Sequence, residues 1–369
     1  MDEFLSAFKA DPTQTSFKFD KYLTRPQREE VHAICDRIKL YHRSYGLGTA
    51  RRITVSKEKM DIEITDDDRK MFIKDSALPI SVYKEPWFSQ QIEAIDPICG
   101  SKKCYASFLE ACKVLAIDGK SFKTYCYELK DKMVNFIKEQ PRYKELSTDD
   151  LKMKPTELPN QTDIYINNNF TKTNWSNVRY ISLDINKANF TCIYKFFPEI
   201  FDGCKTWAEF VRKFSSIEYF TTAKYFRQIV FGNLNTKRIA SIEKFIMSEL
   251  YQMMKDVVNI IGCCGSDEMI IATDVDNLNQ TVTFLTELFN EHKLDSIWRI
   301  EPFILKPLGN SKVFIKTRTD TGIIEIKGIE KDFFLQAYRY IMNNDVIEID
   351  RMGMKDSYVV RYEDLYEFD

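Results

Sequence analysis

Long apolar runs are missing from this chain. No stretch is long and uncharged enough to cross a bilayer, and no leader of signal type opens it. The nine cysteines are odd in number and none stands in a Cys-x-x-Cys frame, which argues against a disulfide scaffold and for an intracellular, reducing compartment, cytoplasmic or nuclear. Cys99, Cys104 and Cys112 come nearest to a metal cluster, but their spacing fits no common zinc ribbon. Histidine is scarce, three in all, and none lies near them. They read as small buried side chains. Net charge is also nearly absent, at −2, yet it is unevenly spread: Ser16 to Met60 holds eleven Lys and Arg against five Asp and Glu, and Asn344 to Asp369 holds three against eight. The basic head implies an anionic partner, and the acidic tail offers a place for a protein partner.

Core-forming material is plentiful. With 44% hydrophobic and 14% aromatic residues over 369 positions, the chain can pack two or three globular units. Met1 to Phe17 offers no more than one helical turn. From Thr24 the pattern sharpens: Thr24 can cap, Pro26 suits a first turn, Glu29 and Glu30 favour the N-terminal dipole, and Val31, Ile34 and Ile38 form an apolar stripe. On that helix Arg28 and His32 stand four apart and share one face. A glycine-broken loop, Leu40 to Gly48, follows, and then a strand from Arg51 to Lys57 with basic residues at both ends.

Arg28-Glu-Glu-Val-His32, then Leu40, His42, Ser44, Gly46 and Gly48, then Arg51, Arg52, Val55 and Lys57, resemble the R-3-H (Arg-xxx-His) domain over Phe17 to Lys59. That resemblance implies a small α/β module that holds single-stranded DNA or RNA without strong sequence preference. The residues agree, because Arg28, His32, His42, Arg51, Arg52 and Lys57 can together form a cationic shelf for successive phosphates. A structural hydrogen bond for His32 and a solvated pair for Arg51 and Arg52 are the alternatives.

After Met60, Asp66-Asp67-Asp68 reads as a solvated turn or a helix start, and two helices follow between Ser101 and Glu139. Pro141 to Asn160 has the polar, Pro-containing character of a linker. The remainder runs in the order β, α, β-hairpin, α, β. A strand from Val178 ends on Asp184, a helical stretch from Thr222 to about Asp256 is interrupted at Gly232, and an apolar hairpin carries Asp267 and Glu268 at its tip. Next come a helix from Asn277 to His292 and two or three strands to Ile326. Two carboxylates brought together from separate strands can hold divalent ions.

Asp184 with Phe190, the Lys224-to-Phe231-Gly232 spacing and Gly265-Ser266-Asp267-Glu268 resemble the palm of family B DNA polymerases. The resemblance implies that Asp184 and Asp267 hold Mg²⁺ or Mn²⁺, that Glu268 assists, and that Lys224 or Arg227 meets a triphosphate. Two motifs depart from it: Gly-Ser-Asp stands where the family has Asp-Thr-Asp, and Lys187-Ala-Asn-Phe where it has Ser-Leu-Tyr-Pro. The Ser-Asp-Glu tip is also similar to that of the tRNA guanylyltransferases, but their Asp-Gly pair is absent, since Ile185 follows Asp184. The expected architecture is α+β: an R-3-H-like module at 17–60, a partly helical connector at 61–160, and at 161–369 a ferredoxin-like or palm-like sheet with helices on one face. The expected function is single-stranded nucleic-acid binding without a cofactor. The alternative is a compact metal-dependent nucleotidyltransferase with Asp184, Asp267, Glu268 and Lys224 as its catalytic set.

Overall fold

A computed structural model describes residues 1–19, 23–45, 52–57, 64–117, 120–148, 157–158, 178–264, 267–294, 296–309 and 313–368. The chain opens on helix α1 (Asp2–Ala10), which buries Leu5 and Phe8. Strand β1 (Ser16–Lys18), helix α2 (Arg25–Ile38), β2 (Tyr41–Tyr45) and β3 (Arg52–Ser56) complete a small unit with strand order β1-β3-β2, all antiparallel. Leu5 and Phe8 share a core with Val31, Ile34, Cys35, Ile53 and Val55. Residues 1–17, expected to offer no more than one helical turn, therefore form a nine-residue helix and a strand that belong to the unit. At the start of α2, Thr24 and Gln27 cap each other reciprocally. The stretch after Leu40 was expected as a loop, but its described part is β2. The ladder to β3 makes it a strand, and a non-local partner leaves no mark in local sequence.

Helices α3 (Asp66–Ser76), α4 (Trp87–Cys99), α5 (Ser101–Ile117), α6 (Phe122–Glu139) and α7 (Tyr143–Ser147) follow. The three acids at 66–68 open α3. Thr65 Oγ1 accepts from the Asp68 N–H at 3.2 Å and Asp68 Oδ2 accepts from the Thr65 N–H at 3.0 Å. Loss of this cap in Thr65→Ala is expected to lower stability by about 1 kcal/mol, read from the urea midpoint at unchanged slope. Phe72, Phe88, Phe108 and Phe122 of these helices pack in the same core as Tyr219, Phe220 and Phe226 from much later in the chain. The segment expected as a connector is thus continuous with the larger α+β body. The expected linker contains α7; of its remainder, 149–156 and 159–160 lie outside the described residues.

The body is built on β4 (Val178–Ile185), helices α8 (Ala188–Phe196), α9 (Trp207–Arg212), α10 (Tyr219–Thr222), α11 (Lys224–Gly232) and α12 (Thr236–Met254), strands β5 (Ile260–Cys264) and β6 (Glu268–Asp274), helix α13 (Leu278–Glu291), and strands β7 (Trp298–Pro307), β8 (Phe314–Arg318) and β9 (Ile324–Lys327). The six strands lie in the order β5-β6-β4-β7-β8-β9, every neighbour antiparallel. Side chains alternate across the pleat. Ile181, Leu183, Ile185, Met269 and Ile271 enter the main core with Ile193 of α8, Ile246 of α12 and Leu285 of α13. The opposite face carries a small apolar cluster, Tyr180, Ile270, Phe303, Leu305 and Phe314, bordered by charge.

Helix α14 (Phe334–Ile341) and the hairpin β10 (Met352–Lys355) to β11 (Tyr358–Arg361) close the chain. Of the described acids in the acidic C-terminal stretch, Asp350 is buried and the others are exposed. Asp350 is 1% exposed and accepts from Arg339 Nε at 3.0 Å, while Phe368 packs with Leu308, Val313 and Ala337. Among the described residues no helix is long and apolar enough to cross a membrane.

Candidate nucleic-acid interface

In the N-terminal unit, α2 and β2 bring His32 and His42 together, with Arg28 one turn before His32 on α2. The two histidines meet Nδ1 to Nδ1 at 2.6 Å, and His42 Nε2 lies 2.8 Å from Asp36 Oδ1. A carboxylate only accepts, so His42 Nε2 is assigned the proton. His42 Nδ1 is then the acceptor for His32 Nδ1–H in the neutral pair, and His32 Nε2 is left as that ring's acceptor nitrogen. Arg28 Nη1 donates to the Leu23 carbonyl, which ties the chain entering α2. Lys57 Nζ donates to the Asp11 carbonyl at the end of α1 and lies 5.0 Å from the Phe8 ring centre. Both cations keep further donors beyond these bonds.

Part of the expected shelf is thereby accounted for differently. Arg28 and Lys57 brace α1, α2 and β3 as well as contributing charge. Asp36, which holds His42, went unnoticed in the sequence although it stands four residues after His32. Lys9, whose Nζ donates to the Ile38 carbonyl at 2.6 Å, was also missed. Arg52 opens β3, and Arg51 lies outside the described residues.

The second candidate lies at one end of the six-stranded sheet. Asp184 on β4 faces Glu268 on β6 and Arg299 on β7 in register, so the three side chains share the helix-free face. Arg299 Nη2 pairs with Asp184 Oδ2, and its Nη1 is 3.7 Å from Glu301 Oε1. Glu268 accepts from Ser182 Oγ at 2.6 Å and lies 3.6 Å from Lys316 Nζ. The main chain of Asp267 accepts from the Ile185 N–H at 2.9 Å, which places the hairpin tip beside the end of β4. Burial, and then Glu268, raise the Asp267 carboxyl above its usual range, with Lys224 acting the other way. Gly265 and Ser266 lie outside the described residues.

The expected acids are therefore neighbours, but the arrangement does not suit a metal as it stands. Arg299 and Lys316, which the sequence reading passed over, hold Asp184 and Glu268. A divalent ion would have to displace at least Arg299. Among the described residues no three His, Cys, Asp or Glu side chains form a metal-holding group. The signal was available in the alternation Trp298-Arg-Ile-Glu-Pro-Phe, which puts Arg299 and Glu301 on the face opposite the core. Of the cysteines weighed for zinc, Cys112 is buried, Cys99 partly buried and Cys104 exposed.

No curated protein and no solved structure matches the chain. Residues 1–57, the unit that carries the Arg28 and His32 pair, match the family model for the R-3-H domain, and the N-terminal unit is an R-3-H domain.

Proposed function

We propose that this chain binds single-stranded nucleic acid through its N-terminal module, using Arg28, His32, His42, Arg51, Arg52 and Lys57, and that its larger part is a palm-type domain. The single observation that carries the binding reading is the match of residues 1–57 to the R-3-H domain, with His32 and His42 in contact where α2 meets β2. The excess of Lys and Arg over that stretch supplies the attraction that any strand needs. The order β5-β6-β4-β7, antiparallel throughout, supports reading the sheet as ferredoxin-like, with two β-α-β units interleaved. We divide the chain into a module ending near residue 60 and a body that takes in the helices after it.

The test is binding of labelled single-stranded DNA and RNA to the full chain over a salt series, beside the double variant Arg51→Ala, Arg52→Ala. Each phosphate contact on a single strand contributes about 0.7 to the slope of log K against log salt, so two lost contacts are expected to flatten it by about 1.4. Unchanged affinity and slope would remove the pair from the interface.

A second reading is metal-dependent nucleotidyl transfer by Asp184 and Asp267, with Glu268 and Lys224 assisting. The register that sets Asp184 opposite Glu268, next to Asp267, favours it. It requires Arg299 to leave Asp184. Nucleotide incorporation in Mg²⁺ or Mn²⁺ that disappears in Asp184→Ala, Asp267→Ala is the result it needs.

A further inference from the structure

Helix α1 is anchored to the N-terminal unit by Leu5 and Phe8, its two buried residues. Phe4 stands on the same side, one turn before Phe8, yet is 45% exposed. Its ring is nonetheless fixed. The ring centre lies 4.9 Å from that of Phe17 and 5.9 Å from that of Phe19, both edge to face, and Phe17 and Phe19 meet edge to face at 5.1 Å. Three rings are thus braced against one another, with the outermost in water. Among the described residues of the unit only Met1, Phe4 and Tyr41 are large apolar side chains left exposed, too few to make the contiguous patch of a protein interface.

The sheet ties this cluster to the histidine pair. Phe17, Val55 and His42 are register partners across β1, β3 and β2, which sets Phe17 and His42 about 10 Å apart along one row. About three stacked nucleotides at roughly 3.4 Å each cover that distance. Lys57 Nζ lies 5.0 Å from the Phe8 ring centre, and Phe8 lies 6.5 Å from Phe17, so a cation meets the cluster at its inner end. Lys18, exposed, stands between Phe17 and Phe19 on the edge strand β1. Of the two acids in the first turn of α1, Asp2 pairs with Arg37, which leaves Glu3 as the acid next to Phe4 in sequence. A fixed, exposed ring with lysines around it offers apolar contact and charge attraction together, and a single strand presents bases and phosphates in the same alternation.

We propose that the Phe4 ring, braced by Phe17 and Phe19, is a stacking platform for a base of the bound single strand. That the ligand is a nucleic acid rests on the binding reading above; the platform adds to it an uncharged contact, made by α1, that basic residues do not supply. Every base has a π-face, so such a contact tightens binding without selecting a sequence.

The experiment uses the full chain with labelled oligothymidylate and oligouridylate over a salt series. Phe4→Ala is expected to weaken binding roughly five- to a hundredfold and to leave the slope of log K against log salt unchanged, because the ring carries no charge. Phe4→Leu keeps an apolar side chain against Phe17 but removes the π-face, and is expected to lose as much affinity while melting as the wild type does. Phe4→Trp is expected to bind at least as tightly as the wild type, and its added indole emission to fall when the strand is bound, beyond any change in the wild-type protein. Full binding by Phe4→Leu, a flattened salt slope in Phe4→Ala, or no change in the added emission overturns the proposal. So does self-association of the wild type that Phe4→Leu abolishes, since the ring would then face a second copy. Failure of the two readings is told apart by the wild type: if it binds no strand, the module reading falls and takes the platform with it. If it binds, with a slope that Arg51→Ala, Arg52→Ala flattens, while Phe4→Leu binds in full, the platform alone falls.

Discussion

Glu268→Ala is expected to destabilise the protein by about 3 kcal/mol, in the range found when one partner is taken from a buried ion pair. The Lys316 side chain is 5% exposed, its Nζ lies 3.6 Å from Glu268 Oε1, and it sits 4.5 Å from the Phe303 ring centre. Glu325 faces it across β8 and β9, but that carboxylate also pairs with Lys327 at 2.5 Å. Removing Glu268 therefore strands most of a desolvated charge. Changing Glu268 and Lys316 together to methionine should recover most of the loss, because a buried pair gains little over apolar side chains of similar volume. Urea unfolding of the three proteins decides the matter. The sign also separates two roles for this acid. If Glu268 were one of a cluster of carboxylates held apart for an absent cation, its removal would relieve repulsion with Asp184 and Asp267 and would raise stability. A loss that the double variant reverses assigns Glu268 to Lys316.

Much of this architecture was legible locally, and the limits of that legibility have physical causes. The Thr24 cap, the α2 stripe, the break near Gly232 and the acidic hairpin tip each write their signal within a few residues, and each stands where expected. Strand β2 was missed because its ladder partner is several residues away, and α1 because only Leu5 and Phe8 of its nine residues are buried. The site was legible as a set of acids but not as an arrangement. Asp184, Asp267 and Glu268 could be named from their place at a strand end and a hairpin tip, whereas the two cations that pair with Asp184 and Glu268 come from β7 and β8, more than a hundred and more than forty residues further along than the acids they meet. Pairing of that kind depends on sheet register, which sequence alternation constrains to a face but not to a neighbour. The acidic C-terminal stretch shows the same limit in one residue: most of its described acids are exposed, but Asp350 lies in the interior on Arg339, which composition does not single out.

Asp75 is the other place where a single charge sets stability, and here the dependence on pH carries the argument. It stands near the end of α3, 4% exposed, where its carboxylate accepts from the Phe226 N–H at 2.8 Å and from the Tyr219 hydroxyl at 3.2 Å. It thus holds the first turn of α11, the helix that carries Lys224 and Arg227. Burial pushes its carboxyl up to about 6 from the ordinary 3.8, against the pull of those two bonds. A folded-state value above the unfolded one means that, between the two, the native protein keeps a proton that the unfolded chain has released. Stability contributed by this group is therefore complete below about pH 4 and falls as pH rises through about 6, by about 3 kcal/mol in all. Asp75→Asn keeps an acceptor for the Phe226 N–H and has no proton to lose. The variant should match the wild type near pH 4 and exceed it by up to about 3 kcal/mol at pH 7.5. Because every other carboxylate titrates alike in the two proteins, the difference between their urea unfolding free energies at a series of pH values isolates Asp75. A difference that does not grow between pH 4 and 7 would mean that water or an unnoticed cation keeps this carboxylate charged at little cost. Growth of the expected size would show that the wild type gives up stability at neutral pH to anchor α11 with a charge.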